Sequence, residues 1–156
     1  LVAAVFADWL QGEGVSVVWE PAAGEGDLAS ALAVEGLEVI ATHDDFFRRD
    51  AMPEGVNTIA TNPPFGKGGR QAVKFIRHAF KLEVERMILL LKVDFDSGKT
   101  RTDLFLDQLT FAGKIVLLDR IKWFEGPKSP SENHALFVWD RNHRGEPWIR
   151  YARRGA

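Results

Sequence analysis

Two adjacent prolines at the end of an apolar run, Pro63 and Pro64 after Asn57-Thr58-Ile59-Ala60-Thr61-Asn62, constrain this chain more than any other feature. Neither has an N–H to give a β-ladder, and Pro64 also keeps Pro63 out of the helical region. A strand ending here must therefore leave its sheet in a fixed direction. That puts Asn62 and Phe65 on the rim, followed at once by Gly66-Lys67-Gly68-Gly69-Arg70. An Asn side chain can accept a hydrogen bond from an amino group, and a rigid turn can aim a backbone carbonyl at the second N–H of the same group. A neighbouring Phe offers a flat face to a planar ring. The tetrapeptide would also serve as an ordinary strand-terminating turn; what precedes it favours a site.

Upstream, Val15-Ser16-Val17-Val18-Trp19 is a short β-branched run that ends in Glu20-Pro21-Ala22-Ala23-Gly24-Glu25-Gly26-Asp27. Leu28, Ala31, Leu32 and Val34 then resume a helical period, so strand, glycine turn and helix follow one another as in the opening of a Rossmann-like unit. Leu37 to Ala41 predicts a second strand, with Thr42-His43-Asp44-Asp45 at its end. Asp44 lies 20 positions after Gly24, a separation at which a carboxylate reaches a ribose in such folds.

The rest of the chain fills in an α/β domain. Leu1 to Gln11 carries Val2, Val5, Phe6, Trp9 and Leu10 at helical spacing, while Phe46 to Val56 is too short for a full helix and strand, so that side of the sheet is abbreviated. After the prolines, Ala72, Val73, Ile76, Ala79 and Phe80 define one helix face and Lys74, Arg77, His78 and Lys81 the other. Met87 to Val93 predicts an interior parallel strand. A polar loop over 94–102, a helix over Leu104 to Phe111, a strand over Lys114 to Ile121, a loop over Trp123 to Asn133 and a returning antiparallel strand over His134 to Asp140 complete the expectation.

With 156 residues, 46% of them hydrophobic, the chain can bury one core, and a single domain spanning 1–156 is expected. The absence of cysteine excludes disulfides, thiolate metal sites and a cysteine nucleophile. His43, His78, His134 and His143 show no ligand spacing, so no metal is expected. No apolar run approaches the ~20 residues of a membrane span and no signal peptide is visible, which predicts a soluble, cytoplasmic protein. Residues 1–65 carry 2 basic and 11 acidic side chains, whereas residues 66–156 carry 18 basic and 11 acidic. Such asymmetry points to one cationic and one anionic partner.

Glu20-Pro-Ala-Ala-Gly24-Glu-Gly26 and Asn62-Pro-Pro-Phe65, in that order and about 40 residues apart, together resemble the S-adenosylmethionine-dependent amino-methyltransferases, closest to the adenine-N6 DNA methyltransferases of phages and prophages. Arg120-Ile-Lys-Trp123-Phe124 and Asn133-His-Ala-Leu-Phe-Val-Trp139 look like the final hairpin of those enzymes. The resemblance implies a Rossmann-like class I methyltransferase sheet of seven strands, mostly parallel with one antiparallel strand near the C-terminus. The cofactor, S-adenosyl-L-methionine, would lie across the ends of the first and fourth strands. Glu20, Gly24 and Gly26 would surround its methionine part, with Pro21 and Ala22 also at the cofactor, while Asp44, His43 or Asp45 would take its ribose and Asp45 and Phe46 would flank its adenine. A further cofactor-contacting segment would precede the first helix.

The same resemblance makes Asn62, Pro63, Pro64 and Phe65 the catalytic turn, with Asn62 also beside the cofactor. The amine of adenine is a poor nucleophile because its lone pair is delocalised. Acceptors at Asn62 Oδ1 and the Pro63 carbonyl would favour a pyramidal nitrogen, by positioning rather than by a strong base. Phe65 would stack on a flipped base, and Lys67 and Arg70, on a mobile glycine loop, would touch phosphates. The expected partner is nucleic acid, DNA first. Methylation of cytosine N4, RNA bases or protein glutamine, a nicotinamide oxidoreductase, and a non-catalytic subunit of the same fold stay open.

Overall fold

The computed structural model describes residues 1–122 and 132–154. Its chain order is α1 (Val2–Gly12), β1 (Val17–Glu20), α2 (Asp27–Val34), β2 (Glu38–Ala41), β3 (Thr58–Thr61), α3 (Arg70–Lys81), β4 (Arg86–Lys92), β5 (Phe111–Leu117), β6 (His134–Asp140) and β7 (Trp148–Ala152), with short 3-10 turns at 46–48, 67–69, 95–97 and 99–104. The strands form one sheet in the order β2-β1-β3-β4-β6-β5-β7. All pairings are parallel except those of β6, which is antiparallel to both β4 and β5. The expected mostly parallel α/β sheet with one antiparallel strand near the C-terminus is therefore the observed one.

Alternation along each strand divides the core into two layers. Trp19, Ile59, Met87, Leu89, Leu91, Ala135, Phe137 and Trp139 face α3 and the 3-10 turns. Val18, Ala60, Ile88, Leu90, Leu136 and Val138 face α1 and α2. Both faces of β4 and β6 are thus covered, which is why their sequences read as unbroken apolar runs. At the amino end of β4 its register partner on β6 closes an ion pair, Arg86 Nε to Asp140 Oδ2 at 2.9 Å, with both side chains nearly buried. Removing one partner would leave an uncompensated buried charge, costing roughly 3–5 kcal/mol, so the pair holds this register against slippage.

Three expectations are corrected. No helix spans 104–111: the chain makes a 3-10 turn through Leu104 and enters β5 at Phe111. The apolar spacing that imitated a helix is split between two environments, Leu106 and Leu109 standing 81% and 89% exposed while Phe105 meets Phe111 edge-on at 4.7 Å. The strand expected over 114–121 instead covers Phe111–Leu117. Finally, β7 follows the antiparallel strand and forms the sheet edge beyond β5. Gly113 makes this docking possible, because a Cβ there would sit 2.2 Å from the Trp148 carbonyl oxygen and 2.5 Å from its indole. Segment 46–56 is abbreviated as expected, which leaves β2 as the opposite edge. Trp123 and Phe124, and most of the loop assigned to 123–133, lie outside the described residues.

Candidate active-site cleft

The carboxyl ends of β1, β2, β3 and β4 come together on one rim of the sheet, and β1 is followed to one side by β2 and to the other by β3. Chains of this topology open a crevice where the strand order reverses. Three adjoining hollows of about 420, 420 and 460 Å3 occupy that rim. The first includes Glu20, Ala22, Gly24, Asp27, Asn62 and Leu90 in its wall, the second Pro21, Thr42, Asp44, Asp45, Phe46 and Phe47, and the third Pro63, Phe65, Leu91, Lys92, Glu132 and His134. Ala22, Ala23 and Gly24 border the first two; Asn62 and Leu90 border the first and third; Pro64 borders the second and third. The Asn62-Pro63-Pro64 turn stands where all three meet.

Glu20 is the electrostatic centre of the first hollow. It ends β1 and is 1% exposed. Its Oε1 accepts a 2.6 Å hydrogen bond from Thr61 Oγ1 on β3, while its buried Oε2 has no hydrogen-bond partner among the described residues. Burial pushes its pKa from 4.5 up to about 7, against the opposing pull of the Thr61 hydroxyl and the Asn62 backbone N–H. The Asn62 amide nitrogen faces the carboxylate without closing a hydrogen bond on Oε2. A buried acceptor left open at a cavity wall is costly unless something fills it.

The glycine turn beyond Glu20 is left-handed at Gly24 (φ +54°) and Gly26 (φ +88°). A side chain at Gly24 would be strained and would project into open space. Gly26 does not border the hollows; it caps the amino end of α2.

The second hollow holds the acids expected around a ribose, in different states. Asp44 is exposed and already paired with Arg49, Nε to Oδ2 at 2.7 Å and Nη2 to Oδ1 at 2.9 Å. Those hydrogen bonds hold its carboxyl below the usual range. Asp45 instead accepts the Phe47 backbone N–H at 3.0 Å and so starts the 3-10 turn. Phe46 is buried and stacked on Phe75 at 4.1 Å, presenting only its margin to the hollow, whereas Phe47 is 44% exposed there. Trp19 braces this rim from beneath, its Nε1 donating to Thr42 Oγ1 at 2.9 Å.

In the third hollow the proline turn does what its chemistry dictates. Asn62 is exposed, and among the described residues its side chain has no hydrogen-bond partner. The Phe65 carbonyl accepts the backbone N–H groups of Gln71 and Ala72, which seats the first turn of α3. Its ring is half-buried, edge-on to Phe95 at 6.4 Å, with Lys92 Nζ over it at 4.7 Å. Lys92 also pairs with Glu132 at 3.0 Å. The glycine loop carrying Lys67 and Arg70 is not a free flap, since Arg101 donates to the Gly68 carbonyl at 2.8 Å and lies over Phe95. Lys67 and Arg70 are exposed and border none of the hollows.

Several lining residues went unnoticed in the sequence. Lys92 and His134 lie across from each other in the β4–β6 register, at the same rim as Asn62. His134 is 6% exposed, and burial lowers its pKa against the pull of the Glu132 carbonyl. The signal was the antiparallel pairing itself, which returns the start of β6 to the carboxyl end of β4. Phe47 and Ile121 carried no comparable signal. Among the described residues no cluster of His, Asp and Glu could hold a metal ion, and no helix is long and apolar enough to cross a membrane.

Neither the family models nor the curated protein sequences yield a match to this chain. Solved structures do. The chain superposes on a candidate RNA methyltransferase from Pyrococcus horikoshii with a TM-score of 0.67 at 14% identity, over 88% of this chain and 82% of that one. A candidate class I S-adenosylmethionine-dependent methyltransferase from Listeria monocytogenes gives 0.63 at 12% identity, over 97% and 62%. A modification subunit of a candidate type I restriction enzyme from Vibrio vulnificus gives 0.59 at 14% identity, over 99% and 47%. The chain thus spans less than two thirds of the latter two. At these identities the likeness is one of fold, and the fold is that of class I methyltransferases.

Proposed function

We propose that the protein transfers a methyl group from S-adenosylmethionine to an exocyclic amino nitrogen of a nucleic-acid base, with adenine N6 of DNA as the preferred target. The observation that carries this reading is the convergence of Glu20 and Asn62 on one rim. A buried carboxylate with an open oxygen borders one hollow, and a side-chain amide without a hydrogen-bond partner among the described residues stands between it and the next. The residues fit the cofactor. Glu20 offers an acceptor to a cationic group, Gly24 leaves open space beside it, and Asp44 and Asp45 follow the neighbouring strand where hydroxyls would lie.

When bound, S-adenosylmethionine supplies an electrophilic methyl group on a positively charged sulfur. Glu20 and the acidic side chains around it stabilise positive charge in the first hollow. Asn62 Oδ1 and the Pro63 carbonyl accept the two N–H groups of the amine, drawing its lone pair out of conjugation as it becomes pyramidal. Phe65 offers a ring face to the base, and Lys92, lying over that ring, must shift or share it. The folds of neighbours described as an RNA methyltransferase and a restriction-modification subunit support a nucleic-acid target and leave RNA as the second reading. Incubation with methyl-labelled S-adenosylmethionine and separate pools of DNA, RNA and protein tests the proposal. Label in adenine N6 of DNA is expected; label confined to protein, or in no pool, overturns it.

A further inference from the structure

Beyond the cleft, the same rim of the sheet continues over β6, β5 and β7, and the chain lays cations along it. Because β5 and β7 run parallel to each other and antiparallel to β6, their carboxyl ends return to the edge where Asn62 and Lys92 stand. The segment leaving β5 then turns back toward the cleft: Ile121 borders the first hollow together with Glu20 and Asn62 and packs in the core layer that holds α1. Arg120 and Lys122 flank Ile121 and are both exposed. Arg153 and Arg154 emerge from β7, also exposed. Their backbone is tied to the same place, since Leu118 N–H donates to the Ala152 carbonyl at 2.9 Å and Arg154 N–H donates to Asp119 Oδ2 at 2.6 Å. Among the described residues, Asp119 accepts the Arg154 backbone N–H and Glu132 pairs with Lys92.

We propose that Arg120, Lys122, Arg153 and Arg154 form a phosphate-binding strip that carries the nucleic-acid strand from the Asn62 turn across the carboxyl ends of β5 and β7. This inference rests on the nucleic-acid reading above and gives it a direction. On the other side of Asn62 the rim presents Glu25, Asp27 and Asp45, with Asp44 neutralised by Arg49, a surface that repels a phosphate backbone. A strand entering the third hollow therefore leaves over β5 and β7. Such contacts are independent of sequence and strongly salt-dependent, since each phosphate neutralised releases condensed counterions. The strip supplies affinity and orientation, while Asn62 and Phe65 act on the base.

Fluorescence anisotropy with a labelled single-stranded DNA and an RNA of the same sequence tests this, comparing wild type with an Arg120→Gln/Lys122→Gln/Arg153→Gln/Arg154→Gln variant. All four side chains are exposed, and a thermal melt confirms that the variant folds. The expected result is binding weakened about tenfold or more at low salt and a plot of log affinity against log salt shallower by about 2–3 units, near 0.7 per lost contact. Calorimetric affinity for S-adenosylmethionine should be unchanged. Wild type and variant binding alike, with one slope, would overturn the strip and leave the nucleic-acid reading standing. Wild type binding neither probe would overturn both. A loss of cofactor affinity equal to the loss of oligonucleotide affinity would also overturn the strip, placing these cations in the cleft instead.

Discussion

The rim on the β1–β2 side of Asn62 and the rim on the β4–β7 side are built from opposite chemistry. The first is acidic and keeps one carboxylate, Glu20, buried with an unsatisfied oxygen. The second is cationic, with Lys92 lying over an aromatic ring and exposed basic side chains beyond it. Burial makes the difference in kind. Around Glu20 solvent is excluded, so a ligand's positive charge would be felt strongly; on the far side charges are hydrated, and only several together matter. Within the acidic side the same contrast recurs. Glu20 is poised because no described residue pairs its second oxygen, whereas Asp44 already has Arg49 and can meet a ligand only by sharing or exchanging it.

The largest effect should come from the residue between the two sides. Asn62→Ala should lower single-turnover methyl transfer by ~10²–10³ with cofactor affinity nearly intact, because in the proposed mechanism its acceptor acts on the amine in the transition state. A parallel loss of cofactor affinity would put Asn62 on the acidic side alone.

Glu20 gives the next effect, read in stability. Its folded pKa of about 7 exceeds the ordinary 4.5, so between these values the folded protein holds a proton that the unfolded chain has released. Stability should therefore fall as pH rises from 4.5 to 7 and level off above, by about 3 kcal/mol in all. In Glu20→Gln this dependence should flatten, and the variant should melt higher than wild type above pH 7. Identical melting profiles would show that the carboxylate is already solvated.

On the cationic side, Phe65→Ala should weaken substrate binding by ~1–3 kcal/mol of lost stacking, with Phe65→Trp retaining most of it. The KM and kcat of both variants, measured beside their melting temperatures, separate stacking from the ring's packing on Phe95. Asp44→Ala should have the smallest effect, a modest loss of cofactor affinity, since Arg49 already occupies its carboxylate; a larger loss in Asp45→Ala would move the ribose contact one residue along.

Much of this was legible in the chain because local chemistry decided it. Pro63-Pro64 could end a strand in only one way, and the β-branched runs before Glu20, Thr42 and Asn62 became β1, β2 and β3. The failures arose where tertiary packing overrode local pattern. Leu106 and Leu109 mimicked a helix face yet lie in solvent. Strand β7 escaped notice because its pairing depends on the bare backbone of Gly113, some 35 residues away, receiving Trp148. The open oxygen of Glu20 could not be read either, since it depends on how Thr61 and Asn62 cross from β3. Asp44 could be picked out by spacing, but its partner Arg49 could not.

The central claim is that the acidic side holds a cationic cofactor against Glu20, and titration calorimetry with S-adenosylmethionine tests it most directly. Below the Glu20 pKa of about 7, a cation beside the carboxylate must displace its proton. Titrations in buffers of different ionisation enthalpy should register proton release on binding to wild type and none on binding to Glu20→Gln, with wild-type affinity rising toward pH 7 and the variant's staying flat and weaker. Equal affinities and equal proton counts for the two proteins across that range would contradict the account.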